Sequence, residues 1–267
     1  MGYGFYDDSA KLPHEPIPLS MFLIIEDVFR VSWQRLKSRS NPQIDIETAD
    51  EDEVTHDLWE VIVDEVFNKG VVDGFDSERF SVPTRESKIR NFNGDHLDKM
   101  PDLLVGVAGR TELDFHRRSQ DWLFVECKPI NAERTVGVHY GAKGIARFIR
   151  GDYAWTMTSA LMVGYASTGY AIEPKLGEAM KARAKEFEVV EQPKRCACSL
   201  SVHGDDCAYA TKHGRTFSYL ETGTPAPPIQ LRHLDETLSC GKPTHSTRRR
   251  VLSFKRERGR HRTQIAL

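Results

Sequence analysis

Three charged residues in the middle of the chain have the types and spacing that a phosphodiester-cleaving site needs. Glu126 and Lys128 are separated by one residue at the end of the apolar run WLFV, and Asp102 opens an earlier apolar run, LLVGV. Side chains two apart on a strand point to the same face. Carboxylates hold hard divalent cations such as Mg²⁺, and a cation stabilises charge that develops on a phosphate. The spacing therefore predicts a metal-binding acid beside a positive group.

The elements around these residues predict how the three side chains are brought together. The run from Trp122 to Lys128 has no polar alternate, which indicates a central strand covered on both faces. The run from Asp102 to Val107 is predicted to be its neighbour, so that the Asp102 carboxylate lies near Glu126. Apolar residues at helical spacing predict helices over 52–68 and 138–150, and 160–166 is predicted as a further buried strand. With a short strand over 79–85, the order is helix, three strands, helix, strand.

The rest of the chain is predicted to add elements at both ends of this core. A proline-containing arm leads into a helix from Ser20 to Leu36, and Pro174 begins a helix that contains Leu176, Met180 and Phe187. Beyond Pro193 the predicted elements are short strands over 196–203, 216–220 and 229–234. We expect four regions: 1–50, an N-terminal arm and helix; 51–190, the core; 191–245, a β-rich extension; and 246–267, a basic, flexible tail.

The motif residues and the element order resemble the PD-(D/E)xK, or restriction-endonuclease-like, nuclease superfamily. The resemblance lies in Pro101-Asp102 at a strand start and in Glu126-Cys127-Lys128 at the end of an apolar strand, and it covers roughly 52–166. It implies an α/β fold with a restriction-endonuclease-like core, in which helices flank a central mixed sheet. The implied activity is Mg²⁺- or Mn²⁺-dependent hydrolysis of nucleic acid, with DNA as the expected substrate, in prokaryotic defence, restriction or repair.

The resemblance also implies roles for individual residues. Asp102 and Glu126 would hold the metal ion, and Lys128 would position the attacking water or stabilise the transition state. Many relatives have a further acid on the first helix; here Glu53 is the first choice and Glu60 the second. Four residues of the helix after Lys128 are expected to contact the nucleic acid, because cations that touch phosphates supply most non-specific affinity: His139, Lys143, Arg147 and Arg150.

A cysteine and histidine cluster near the C-terminus allows a second kind of metal site. It contains Cys196, Cys198, His203, Cys207 and His213. Thiolates and imidazoles are the usual zinc ligands, but the spacing is C-x-C rather than C-x₂-C, and alternation with small residues is typical of a half-buried strand. Structural Zn²⁺ is therefore weighed against core thiols, which are favoured.

Composition and charge limit the function classes. Hydrophobic residues make up 39% and charged residues 28% of 267, and the five cysteines accompany no recognisable export signal, so a reduced, cytoplasmic protein is expected rather than a membrane protein. The net charge of −2 includes a basic run with eight Lys or Arg from Arg248 to Arg262, which favours nucleic acid as a partner. Cleavage of both strands of a duplex by this fold commonly requires two copies of the protein or a partner subunit, so a homodimer or a partner subunit is expected. Two alternatives stay open: a catalytically silent member of the same fold, and a zinc-stabilised module.

Overall fold

The computed structural model describes residues 12–39, 44–108, 110, 120–166, 170–196 and 208–237. Its helices are α1 (Leu19–Lys37), α2 (Glu51–Glu60), which continues as a wider π-helix π1 (Val61–Phe67), a second π-helix π2 (Val136–Ile145), which continues as α3 (Ala146–Arg150), and α4 (Lys175–Ala182). The strands are β1 (Thr84–Arg85), β2 (Leu103–Val105), β3 (Leu123–Ile130), β4 (Ser159–Ala166), β5 (Val189–Arg195), β6 (Ala208–His213) and β7 (Ile229–Thr237).

The seven strands form one mixed sheet in the order β1-β2-β3-β4-β7-β6-β5. The central strands β3, β4 and β7 are parallel, whereas β1 and β2 on one side and β6 and β5 on the other run antiparallel to their neighbours. All eight residues of β3 are buried, as expected for an apolar strand between two layers of helix. The protein is therefore an α/β fold with a mixed sheet, and the predicted central strand is confirmed.

Several predicted elements match the structure closely. The first helix, predicted over 20–36, spans Leu19–Lys37, and the helix predicted over 52–68 is formed by α2 and π1 together. Asp50 begins α2 through a capping box, because its side chain accepts from the Glu53 backbone N–H while the Glu53 side chain accepts from the Asp50 N–H. The helix predicted over 138–150 spans 136–150, but most of it is the π-helix π2.

Two predicted strands are wrong in extent. The segment 79–85 contributes only Thr84–Arg85 as a strand, together with a single bridge from Phe80 to Val107. Pro83 lies between these two contacts and has no N–H to donate to a ladder. The segment 216–220 contains only the bridge between Ser218 and Pro225.

The C-terminal part of the described chain extends the same sheet. The predicted strand 229–234 is β7, which pairs with β4 over eight residues, while β5 and β6 were not predicted because their sequences are polar and alternate weakly. Most of the predicted strand 196–203 and all of the basic tail lie outside the described residues.

Helices cover both faces of the sheet. On one face Trp33 of α1 stacks on Tyr165 of β4, with ring centroids 5.6 Å apart. On the other face π2 lies close to its neighbours at two glycines: a Cβ at Gly141 would lie 2.4 Å from the Phe187 ring, and one at Gly144 would lie 2.8 Å from Met162. Close approach of π2 to the sheet thus depends on residues without side chains.

None of the helices in the described ranges is long and apolar enough to cross a membrane.

Candidate active site

The predicted acid and cation on β3 lie side by side in the structure. Glu126 is fully buried and Lys128 is 3% exposed. The Lys128 Nζ lies 2.8 Å from Glu126 Oε1, because residues two apart on β3 share a face. It also lies 3.5 Å from Asp102 Oδ2 and contacts the Glu51 carboxylate. Three carboxylates from three different elements therefore meet around one ammonium group.

Asp102 is brought to this site by the pairing of β2 with β3. The two strands are antiparallel with Leu103 opposite Val125, so Asp102, just before β2, lies opposite Glu126. The Cys127 backbone N–H donates to Asp102 Oδ2 at 2.6 Å. Cys127 itself is buried on the opposite face of β3, as its position between Glu126 and Lys128 predicts. The register of two strands thus determines the position of the first acid.

The electrostatics of the site follow from burial. Burial, with the neighbouring Asp102 carboxylate, raises the pKa of Glu126 to about 8. Burial also raises the pKa of Asp102, against the opposing effect of Lys128. For Lys128, burial disfavours the charge, but the carboxylates of Glu126, Asp102 and Glu51 outweigh it and raise its pKa. The lysine therefore stays an ammonium ion, and the buried acids hold protons more tightly than exposed carboxyls do.

A second cation approaches the same oxygen of Glu126 from α3. Arg147 donates to Glu126 Oε1 at 2.8 Å and to the Tyr153 hydroxyl at 2.7 Å, and the Tyr153 hydroxyl donates to the Met100 carbonyl at 2.6 Å. The guanidinium carbon lies 5.4 Å from the centroid of the Tyr153 ring. Both cations therefore bind Oε1, while Glu126 Oε2 is buried and has no hydrogen-bond partner among the described groups.

The acid that α2 contributes is Glu51 and not the predicted Glu53. Glu51 is the first residue of α2, and the Tyr165 hydroxyl donates to its backbone carbonyl at 3.2 Å. Glu53 is exposed and its carboxylate accepts from the Asp50 N–H at 3.2 Å in the capping box. Glu60, the second choice, lies at the far end of α2 beside His56. The sequence indicated Glu51 only by its position at the start of an acidic helix. Its neighbours Asp52 and Glu53 share that feature, so the sequence did not distinguish among them.

The four predicted nucleic-acid contacts are placed differently from one another. Arg147 points into the site, whereas Lys143 is exposed on π2 and Arg150 is exposed and bonded to Asp152 at 3.2 Å. His139 is half-buried, and burial together with Lys143 lowers its pKa. The structure thus joins one of the four directly to the carboxylates. Tyr153, which the sequence analysis did not select, is joined to them through Arg147.

The proposed zinc cluster is described only in part. Cys198, His203 and Cys207 lie outside the described residues, and Cys196 is a half-buried thiol. His213 is fully buried, and both of its ring nitrogens have hydrogen-bond partners, Phe187 O at 2.7 Å and Thr211 Oγ1 at 2.7 Å. In this arrangement neither nitrogen of His213 is directed at a shared ion.

Over the described ranges, no group of three or more His, Cys, Asp or Glu side chains is arranged to hold a metal ion, since the carboxylates of the site are grouped around the Lys128 ammonium. Comparisons with models of protein families, with curated proteins and with solved structures found no match to this chain.

Proposed function

We propose that the chain is a divalent-metal-dependent nuclease of the PD-(D/E)xK type that hydrolyses phosphodiester bonds in DNA, with a setting in prokaryotic defence, restriction or repair. The observation that carries the proposal is the convergence of the carboxylates of Asp102, Glu126 and Glu51 on Lys128 at the meeting point of β2, β3 and α2. Ionisable groups that are withdrawn from water and gathered in one place are typical of functional sites, because their desolvation has to be offset by specific partners.

The chemistry of the donor atoms, rather than their present grouping around Lys128, supports a hard divalent cation. The donors are carboxylate oxygens, which Mg²⁺ and Mn²⁺ prefer, and the buried Glu126 Oε2 has no hydrogen-bond partner among the described groups. Asp102, Glu126 and Glu51 would hold the ion. When bound, the ion would polarise the phosphate and lower the pKa of a water molecule.

The other catalytic roles would be performed by side chains of this protein. Lys128 would share these carboxylates with a bound cation, because two positive charges compete for the same oxygens. Lys128 would then donate to the attacking water or to a phosphate oxygen, where negative charge develops in the transition state. Arg147 would keep Glu126 oriented through Oε1, held in turn by the Tyr153 hydroxyl.

The test is cleavage of plasmid, linear duplex, single-stranded DNA and RNA with and without Mg²⁺ or Mn²⁺. Asp102→Asn and Lys128→Met are expected to lower cleavage at least about 100-fold, the size of effect typical for removal of a group that stabilises developing charge. Asp73→Asn, at an exposed acid of the described surface, is the matched control and should leave the rate unchanged. Circular dichroism checks the fold of each variant. Equal Mg²⁺-dependent cleavage by Asp102→Asn, Lys128→Met and wild type would exclude the proposal.

A second candidate function is favoured by one observation, namely that Lys128 already compensates the carboxylates without a metal ion. In that case the chain would be a catalytically silent member of the fold that binds nucleic acid or a partner protein. Calorimetric titration with Mn²⁺ discriminates the two. The nuclease requires binding that Glu126→Gln weakens, and the silent protein gives no binding in the wild type.

A further inference from the structure

A short hairpin lies directly beside the carboxylate site. It consists of residues 89–99, here called the 89–99 hairpin, and its ends are joined by two backbone hydrogen bonds between Ile89 and Lys99, of 2.8 and 3.1 Å. Near the tip, the Asn91 N–H donates to the His96 carbonyl at 3.0 Å, and the His96 N–H donates to Asn91 Oδ1 at 3.1 Å. Met100 follows the hairpin and is two residues before Asp102.

The hairpin is anchored to the segment that follows α3. The Trp155 indole N–H donates to the Arg90 carbonyl at 3.0 Å, and the Phe92 N–H donates to the Gly151 carbonyl at 3.0 Å. The rings of Phe92 and Phe217 stack with centroids 4.6 Å apart. These contacts fix the distance between the 89–99 hairpin and α3. The space between the hairpin and α3 is therefore determined by the fold.

That space is a cavity of about 350 Å³. Its wall toward the active site consists of Arg147 and Tyr153, and its other walls include His96, Lys99 and Met100. Arg147 also donates to Glu126 Oε1 at 2.8 Å, so a ligand in the cavity that contacts this guanidinium lies next to the carboxylate site.

The side chains around the cavity include two cations, a histidine ring and an exposed apolar group, besides two acids. Lys99 and Arg147 are partly exposed cations, and the His96 ring is 58% exposed. Met100 is 44% exposed and supplies an apolar surface at the cavity. Proteins that bind single-stranded nucleic acid combine cations, which contact the backbone phosphates, with ring-bearing side chains, on which the bases stack.

Two acids also line the cavity, and neither opposes this interpretation. Asp152 is 14% exposed and lies 3.2 Å from both Lys99 and Arg150, so Arg150 remains as its partner when Lys99 contacts a phosphate. Asp98 is 73% exposed, with its carboxylate 3.7 Å from His96 Nδ1. A carboxylate at the rim accepts hydrogen bonds from the N–H groups of a base edge, as acids do from cytosine.

We propose that this cavity binds one unpaired nucleotide of the substrate strand, next to the phosphate that is cleaved. In this arrangement Lys99 and Arg147 contact the backbone phosphate, while His96 and Met100 contact the base. The contacts set the choice of an unpaired nucleotide. In a duplex both faces of a base are stacked on neighbouring bases, so His96 and Met100 reach a base face only where the strand is open, and the cavity of about 350 Å³ accommodates one nucleotide. The inference rests on the proposed function and assigns single-stranded or locally opened nucleic acid as its substrate.

The test measures binding and cleavage separately. Binding of a fluorescent single-stranded DNA, its duplex and the same sequence as single-stranded RNA is followed by anisotropy with the full chain, with Ca²⁺ in place of Mg²⁺. The variants are His96→Ala and Lys99→Ala, and Lys194→Ala is the matched control, since Lys194 is an exposed lysine on β5 at the opposite edge of the sheet. Cleavage of the same oligonucleotides with Mg²⁺ is measured in parallel.

Single strands are expected to bind more tightly than the duplex. His96→Ala should weaken single-strand binding at least about 5-fold, the lower end of the effect of losing one base-stacking side chain. Lys99→Ala should weaken it as well and flatten the logarithmic salt dependence by about 0.7, because one phosphate of the strand is then no longer neutralised. Lys194→Ala should bind as wild type does. Comparable effects on DNA and RNA single strands would support a contact that ignores the 2′-hydroxyl.

Two results would overturn the inference while the nuclease proposal stands: duplex binding as tight as single-strand binding, or wild-type affinity in both His96→Ala and Lys99→Ala, in a protein that cleaves. If the wild type cleaves none of the substrates but shows the expected weakening of binding in both variants, the nuclease proposal fails and the nucleotide site is supported.

Discussion

At the scale of single residues, the two carboxylate oxygens of Glu126 differ in their hydrogen-bond partners. Lys128 and Arg147 both bind Oε1, whereas Oε2 is buried without a partner among the described groups. Buried polar atoms in folded proteins nearly always have a hydrogen-bond partner, so an atom without one is a candidate for a functional role. In the sequence, the types of Asp102, Glu126 and Lys128 selected these residues only together with their placement at the ends of apolar strands, because residues two apart on a strand share one face.

The choice between Glu51 and Glu53 yields a sharp prediction at this scale. Glu51→Gln is expected to lower Mn²⁺ affinity and the cleavage rate at least about 10-fold, since it removes a charged ligand while keeping the shape of the side chain. Glu53→Gln, two residues along α2, is the matched control and keeps an acceptor for the capping box, so both quantities should stay near wild type. Calorimetry and a gel-based cleavage assay measure them. A larger loss in Glu53→Gln than in Glu51→Gln would contradict the assignment.

At the scale of elements, a buried hydrogen-bond chain joins π2 to β6 and β7. Tyr140 bonds to His233 Nδ1 at 2.9 Å, Thr211 Oγ1 bonds to His233 Nε2 and to His213 Nε2, both at 2.7 Å, and His213 Nδ1 bonds to the Phe187 carbonyl. A carbonyl only accepts, so His213 carries its proton on Nδ1 and the Thr211 hydroxyl donates to its Nε2. His233 must then donate from Nε2 and accept from Tyr140. With both histidines neutral, each of the four hydrogen bonds has one donor and one acceptor.

This chain predicts a loss of stability in mild acid. Burial lowers the pKa of His213 to about 4, against about 6.5 when unfolded, so the unfolded state binds more protons between these values. Stability is therefore complete above about pH 6.5 and falls as the pH drops toward 4. From about pH 7.5 to about pH 5 this group should contribute a loss on the order of 2 kcal/mol in urea unfolding. His213→Gln should reduce the pH dependence by about that amount.

His56→Gln is the matched control for this prediction, because His56 is 46% exposed on α2. It should unfold with the pH dependence of the wild type. If His213→Gln and wild type lost equal stability between the two pH values, the neutral hydrogen-bond chain would not be the cause.

At the scale of the whole molecule, the N-terminal helix is an integral part of the fold. Glu26 of α1 is fully buried and forms an ion pair with Arg232 of β7, across 206 positions of sequence. Eleven residues of α1 are buried, among them Trp33 against Tyr165. The helix predicted as an N-terminal extension therefore covers the sheet that carries the site, and residues far apart in sequence complete one core.

The buried pair predicts non-additive effects on stability. Glu26→Leu and Arg232→Met are each expected to lower the free energy of unfolding by about 3 kcal/mol, because each removes one member of a buried ion pair. The double variant should lose clearly less than the sum, since both charges are gone. Urea unfolding measures all three. The exposed pair Glu191 and Lys194, treated in the same way, should change little, and additive losses for Glu26 and Arg232 would argue against coupling.

The sequence alone determined the central strand β3, the bounds of α1 to within one residue, and the three residues Asp102, Glu126 and Lys128 as a group. These features follow from local information: apolar run length, helical spacing, and the alternation of faces along a strand. Only the tertiary structure decided that β6 and β7 continue the sheet, that Glu51 rather than Glu53 reaches Lys128, and that Arg147 and Tyr153 support Glu126. Those outcomes depend on which strands pair and how a helix end meets a strand end, and no local pattern in the chain encodes either.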